Sequence, residues 1–449
     1  MRYQQYIDSK VNWIGLVPND WQRTRIKFGI RRSAAGVWGN DEKGNSDDVI
    51  CFRIADFDYP HGELKLDNIT LRNIEKNQLE GRLLSYGDLL IEKSGGGDAT
   101  PVGRVVRVNY EGKATCSNFI HSLTLNEKLD NNFMYYYFHF LYSNKVNLLF
   151  FNQTTGLQNL KVSDYLSQSI YVPTIDEQKA IANYLDIQCA KIDKVIAAQE
   201  KRVELLQELK QSIITRAVTR GIDPDVKLKD SGVEWIGQIP EHWEVQKLRN
   251  ISKTITDYVA SGSFADLRNN VQYLDEPDFA LLVRTTDLSQ KNKDVHPVYV
   301  SRESYNFLSN SNLYGGEIIL PNIGASIGDV YMVPNGLYDK MPLGPNAILL
   351  RTRYIDKYYY YFFSSKYGRE SLALLGQAAA QSKFNKTELR QMKVVLPPVY
   401  EQETIVRKIE QKILPVDKSI SKARYQIDLL KEYKQSLITE VVTGKRKVS

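Results

Sequence analysis

The strongest constraint on this chain is that it is written twice. Residues 8–21 read DSKVNWIGLVPNDW and residues 230–243 read DSGVEWIGQIPEHW. Eight of the fourteen positions are identical at an offset of 222, among them Trp13/Trp235, Gly15/Gly237, Pro18/Pro240 and Trp21/Trp243. A second match closes each copy. Glu177–Thr219 aligns without a gap on Glu401–Thr443, at an offset of 224, with sixteen identities in 43 positions. Between these flanks the copies diverge, but landmarks survive in order: RIAD at Arg53–Asp56 against RTTD at Arg284–Asp287, Tyr86–Ile91 against Tyr314–Leu320, and the aromatic runs Tyr135–Phe140 and Tyr358–Phe363. One architectural unit is therefore stated twice, and each copy has a start module, a variable body and an end module.

The bodies, about 25–172 and 247–396, carry short β-like apolar runs such as Gly103–Val108 and Ile348–Leu350, broken by Gly, Asn and Pro and followed by helical stretches. This predicts an α/β (α+β) class. The organisation is an N-terminal segment with the first body (1–172), a helical spacer (173–220), a linker with the repeated segment (221–246), the second body (247–396), and a second helical spacer with a tail (397–449). Gly221 is placed to end the first spacer helix.

The end modules predict two long helices, since Ala190–Arg220 and Val416–Thr443 contain neither Gly nor Pro. Apolar residues fall at Ile192, Ile196, Val203, Leu206, Ile213 and Ala217, and at Val416, Ile420, Ile427, Leu430, Leu437 and Val441. The spacings 4, 7, 3, 7, 4 are the same in both, which makes one stripe per helix. Two amphipathic helices on one chain cover each other's stripe, and a two-copy chain pairs them antiparallel. That expectation makes Ile192, Ile196, Val203, Leu206 and Ile213 one side of a helix–helix interface, and Val416, Ile420, Ile427, Leu430 and Leu437 the other. Thr174 and Glu177 have capping-box spacing at the start of the first helix; Pro398 replaces the threonine in the second copy. The same organisation predicts adjacent termini, with residues 1–8 beside the end of the second helix as 223–230 lie beside the end of the first.

The 449 residues are 42% hydrophobic and 25% charged, as in ordinary soluble domains, and no apolar run approaches a membrane span. The polar N-terminus lacks a signal peptide's apolar region, so a cytoplasmic location is expected. Cys51, Cys116 and Cys189 are odd in number and widely spaced, which argues for buried thiols rather than disulfides or zinc. A net charge of +6 permits nucleic-acid binding without announcing it.

No catalytic constellation emerges. There is no phosphate-binding loop, and Gly95–Gly97 lacks dinucleotide spacing. Pro397–Pro398 lacks the flanks of an amino-methyltransferase loop. Glu177-Gln178-Lys179 has a repeat mate without the lysine. The five histidines show no metal-ligand pairing, so no metal site is expected. The tyrosine runs fit a helix packed on the body better than a base-stacking surface. What remains are side chains suited to base edges and phosphates: Arg for guanine, Asn or Gln for adenine, Lys and Ser for phosphate. In the first body these are Arg53, Lys93, Ser94, Asn118, Gln153, Gln158, Asn159 and Lys161. In the second they are Arg284, Asn322, Ser326, Gln377, Gln381, Lys383, Asn385 and Lys386.

The pattern W-I-G-x-[VI]-P-x-x-W, a variable body, then P-x-x-x-E-Q opening a long helix, stated twice, resembles the specificity subunits of type I restriction-modification systems. It is carried by Trp13–Trp21, Pro173–Gln178, Trp235–Trp243 and Pro397–Gln402 and spans essentially the whole chain. The resemblance implies two DNA target-recognition domains in a pseudo-twofold tandem repeat, separated by two long helices forming an antiparallel coiled coil. Each domain would read one half of an asymmetric, interrupted double-stranded DNA site. It also implies that the helices dock two methyltransferase (modification) subunits, and that restriction/translocase subunits join through that complex. S-adenosylmethionine, ATP and Mg are then expected on partner subunits, with no cofactor in this chain. Two alternatives stay open on the residues alone: a non-catalytic coiled-coil adaptor without base-specific binding, and an enzyme with an unrecognised site. Divergent bodies between similar frames favour recognition, because an adaptor has no need of two different heads.

Overall fold

The computed structural model describes residues 3–97, 99–154, 156–289, 295–376 and 382–448. The chain forms two compact units, Met1–Gln199 with Tyr425–Ser449, and Glu200–Arg424, so the division runs through both long helices.

In the first unit the central antiparallel sheet has the order Val105–Arg107, Leu89–Glu92, Ile120–Leu125, Ile30–Ala35. In the second the order Tyr331–Met332, Ile318–Pro321, Ala347–Thr352, Ser252–Asp257 repeats it strand for strand. The Tyr-Gly landmark explains itself in this frame. Its acid, Asp88 or Glu317, is buried at the start of an interior strand, accepts backbone N–H bonds from the turn, and holds an arginine: Arg32 at 2.9 Å in one unit and Arg351 at 3.0 Å in the other. The aromatic runs form the helices Asn131–Ser143 and Asp356–Ser364, with Phe138, Phe140, Tyr358, Phe362 and Phe363 fully buried, so they are core, as their sequence suggested.

The start modules fold as hairpins, Tyr6–Asp8 with Leu16–Pro18 and Leu228–Asp230 with Gln238–Pro240. Gly15 and Gly237 sit at φ 74° and 69°, the left-handed region that favours glycine, which accounts for the glycine of the repeated W-I-G.

The long helices run Ile175–Arg220 and Val399–Val442, the first opening at the Thr174/Glu177 capping-box spacing and the second just after Pro397–Pro398. The second continues through Pro415. Proline leaves the Gln411 carbonyl without its helical donor. Both residues lie on an exposed face where water can serve it, while Ile413 and Val416 are buried. At the first helix's start only half of the capping box forms: Thr174 Oγ1 accepts from Glu177 N–H at 3.4 Å, while the Glu177 carboxylate accepts from Tyr3 O–H at 2.5 Å.

Within each unit the helices meet antiparallel. In the first, Tyr3 touches Glu177 at the start of one helix and lies under Lys447, just past the end of the other. In the second, Trp243 Nε1 donates to Glu401 at the start of one helix, and its ring lies against Gly221 at the end of the other. The crossing contact is one ion pair seen twice. Lys434 Nζ binds Asp193 at 2.7 Å in the first unit, and Lys210 Nζ binds Asp417 at 2.6 Å in the second. These are repeat equivalents, so each unit carries the same lysine–aspartate pair between its helices. Of the stripe residues, Ile192, Ile196, Val416, Ile420, Ile427 and Leu437 are buried, and Val203, Leu206, Ile213 and Leu430 are half-buried.

The first unit also closes the chain on itself. Tyr6 O–H donates to the Gly444 carbonyl at 3.1 Å, and Pro18 and Trp21 pack around Gly444 as Pro240 and Trp243 pack around Gly221. The segment 222–225 is exposed. A permutant opened there, with residues 1 and 449 joined, should therefore match the native chain in thermal midpoint and DNA affinity. A large loss of either would mean that the linker does more than connect.

Candidate nucleic-acid interface

Along one edge of the first unit the central strand Leu89–Glu92 runs out into Lys93 and Ser94. Their N–H groups both donate to the Phe119 carbonyl, at 2.8 and 3.0 Å. Ser94–Gly95 then pairs with Leu157–Leu160, which pairs with Phe151–Thr154. This small sheet brings Ser94, Gln153, Gln158 and Asn159 together: Ser94 Oγ donates to Asn159 Oδ1 at 2.7 Å, and Gln153 faces Gln158 in register. Gln158 is buried and accepts from Val102 N–H, whereas Gln153, Asn159 and Lys161 are exposed. Arg53 and Asn118 line an open cavity of about 410 Å³ beside this sheet, with Trp38, Ile54 and Phe119. Trp38 is backed by the Arg72 guanidinium at 4.4 Å, and Phe119 is 43% exposed. The eight first-body candidates thus fall in one region.

In the second unit Asn322, Ser326, Lys383, Asn385 and Lys386 share one edge. Asn322 Nδ2 donates to the Phe384 carbonyl at 3.0 Å, and Ile323 bridges Lys383. Asn385 caps the helix Lys386–Gln391 with its side-chain oxygen, and Lys386 Nζ is held by Asp257 at 2.7 Å. Arg284 lies against the Gly344 backbone, two residues before Asn346, whose carbonyl accepts from Asn322 N–H. Gln377 and Gln381 lie outside the described residues.

Arg53 and Arg284 are clasped alike by an aspartate, and Arg284 Nη2 also donates to the His296 carbonyl at 2.6 Å. Each backbone N–H donates to the aspartate three residues on, at 2.7 Å, and each guanidinium forks onto the same carboxylate through Nε and Nη2. These hydrogen bonds, above all, raise both guanidinium pKa values. Near Lys93, burial and then the lysine's charge push His121 down to about 4, so it stays neutral at physiological pH. Among the described residues no group of three or more His, Cys, Asp or Glu could hold a metal, and no helix is long and apolar enough to cross a membrane.

Several working residues lie outside those singled out from sequence. Gln178 and Gln402, buried at the starts of the long helices, staple them to the bodies. Their amide oxygens accept from Asp130 and Ile355 N–H, and their amide nitrogens donate to the Pro173 and Pro397 carbonyls. Gln435 and Gln211 donate to the carbonyls of Ser143 and Ser364, the last residues of the aromatic helices. The signal was their identity in both copies.

Set beside known proteins, residues 65–205 and 240–424 match the type I restriction modification DNA specificity domain. A Methanocaldococcus jannaschii protein assigned as the type I restriction enzyme MjaX specificity subunit is 23% identical over 457 residues, covering 97% of this chain and 96% of that one. The EcoKI specificity subunit of Escherichia coli is 23% identical over 391 residues, covering 85% and 79%. A chain solved in work on complex assembly and conformational transition of the type I R-M system superposes with a TM-score of 0.68 at 15% identity, covering 95% and 98%, a likeness of fold.

Proposed function

The chain belongs to the type I restriction-modification DNA specificity family, and from that premise we propose that each of its two units reads one half of an interrupted, asymmetric DNA sequence. Its task is sequence-specific DNA recognition within a restriction-modification complex. The observation that carries the two-half reading is one frame built twice, with matching strands, helix staples and ion pairs, whose rims present different polar side chains. Identical rims would call for a palindrome; these do not. Base edges are met by Asn, Gln and Arg and the sugar-phosphate by Lys and Ser, drawn from the residues at the two rims. The paired long helices hold two modification subunits, through which restriction/translocase subunits join. S-adenosylmethionine, ATP and Mg act on those partners, methyl transfer and cleavage take place there, and the complex works in the cytoplasm.

Selection of bound duplexes from a random pool by the full-length chain tests this reading. It should return two different short motifs separated by unread base pairs, with centres about 34–36 Å apart, one helical turn. A continuous motif, a palindrome, or no enrichment over non-specific binding would overturn it.

A further inference from the structure

The two bodies have diverged too far for their sequences to be matched residue by residue, but their backbone hydrogen bonds match them. Ser117 N–H donates to the Phe52 carbonyl and Gly344 N–H to the Val283 carbonyl, in each case the residue just before the clasped arginine. Lys93 N–H donates to the Phe119 carbonyl and Asn322 N–H to the Asn346 carbonyl. Leu160 N–H donates to the Lys93 carbonyl and Phe384 N–H to the Asn322 carbonyl. Ser94 pairs with Asn159 where Ile323 pairs with Lys383. The frame therefore equates Lys93 with Asn322, Ser94 with Ile323, Asn118 with Pro345, Phe119 with Asn346, Asn159 with Lys383, and Lys161 with Asn385. The hydrogen-bonded frame aligns all six positions and the side chain matches at none; at the 119/346 pair the backbone differs as well, since Asn346 sits at φ 64°, in the left-handed region that Phe119 does not adopt.

A feature present in both units cannot make them read different bases. The Arg53–Asp56 and Arg284–Asp287 clasps, the same to within a few tenths of an ångström, are such a feature. We propose that discrimination between the two half-sites resides in these six frame-equivalent positions, and that Asn118 and Phe119, at the mouth of the Trp38 cavity, are the principal readers of the first unit. Both are exposed, and their backbone is fixed by the sheet edge behind them. An exposed amide beside an exposed aromatic ring suits a base edge and a thymine methyl, and the equivalent proline and asparagine present different chemistry. Lys93 against Asn322 and Asn159 against Lys383 exchange a cation for an amide, which changes the partner from phosphate to base or the reverse. The inference rests on the reading that each unit contacts DNA.

The test is motif selection by the full-length chain carrying Phe119→Asn, Lys93→Asn or, in the second unit, Lys383→Asn. The first two install the residue that the same frame already carries in the second unit, and the third installs the first unit's residue. Each should leave the thermal midpoint unchanged. Phe119→Asn should change base preference at one or two adjacent positions of the first half-motif by at least about tenfold, leaving the second half-motif intact. Lys383→Asn should do the converse. A native chain that selects no motif sinks the reading of each unit as a DNA reader, and the inference with it. A native chain with a two-part motif whose variants, normally folded, keep both halves unchanged overturns the six-position assignment alone. Asn118→Ala provides a second probe of the same cavity should Phe119→Asn lower the midpoint.

Discussion

Leu437→Asp should abolish sequence-specific DNA binding and remove most of the first unit's stability in a urea titration. Leu437 is 2% exposed and lies one turn beyond the Lys434–Asp193 pair, next to Ile438 and Val441, which are 1% and 0% exposed. Removing a buried leucine costs about 2–5 kcal/mol through lost burial and the cavity left behind. A carboxylate placed there has no cation assigned to it, which adds several kcal/mol. The sum is comparable with the about 5–15 kcal/mol of a whole domain. Tyr433→Asp, on the same helix but 51% exposed, should stay within about 0.5 kcal/mol of the native chain. Equal urea midpoints for the two variants would mean that the helix contact contributes nothing to the unit.

Arg104→Leu should cost about 3–5 kcal/mol, the usual consequence of stranding one partner of a buried pair. Its partner Glu92, 1% exposed, receives Arg104 Nε at 2.9 Å and Nη2 at 3.0 Å, and the guanidinium lies 3.7 Å over the Tyr59 ring. Glu92 ends the strand from which Lys93 and Ser94 emerge, so its displacement should blur the first half-motif as well as lower stability. The double variant Glu92→Leu/Arg104→Leu should recover most of the loss, because two apolar side chains of similar size need no charge compensation. A single variant within about 1 kcal/mol of the native chain, or a double variant worse than the single, would contradict this account.

The architecture was legible because it is repetitive. Trp21/Trp243 and Gly15/Gly237 marked the start modules, and the identical apolar spacings from Ile192 and Val416 marked the helix pair. The helix starts were legible in the repeated P-x-x-x-E-Q, but the continuity of the second was not: Pro415 reads as a stop, and the exposed position of its orphaned carbonyl lets the helix pass. The candidate site was legible in composition but not in role. Arg53 has the residue type of a guanine reader, and the Asp56 three residues on, repeated as Arg284 and Asp287, was the visible sign that the guanidinium is tethered. Gln178 could be seen to match Gln402, but its partners Lys128 and Asp130 lie about 50 residues earlier, and no local pattern connects them. The correspondence between Phe119 and Asn346 was invisible to sequence, since it is recorded in backbone hydrogen bonds and not in side chains.

Because the first unit is completed by Tyr425–Ser449, synthesis and folding follow different orders. On the ribosome the residues of the second unit, 200–424, have all been added before the first can close. The domain begun first is finished last, and until then the faces of Ile192 and Ile196 await their covering helix. A premature stop just past Arg424 would leave every residue of the second unit translated and strip the first of Leu437, Ile438, Val441, Val442 and Gly444. The lesion would lie in the second long helix, yet the half of the DNA address it erases would be the one read by the first body.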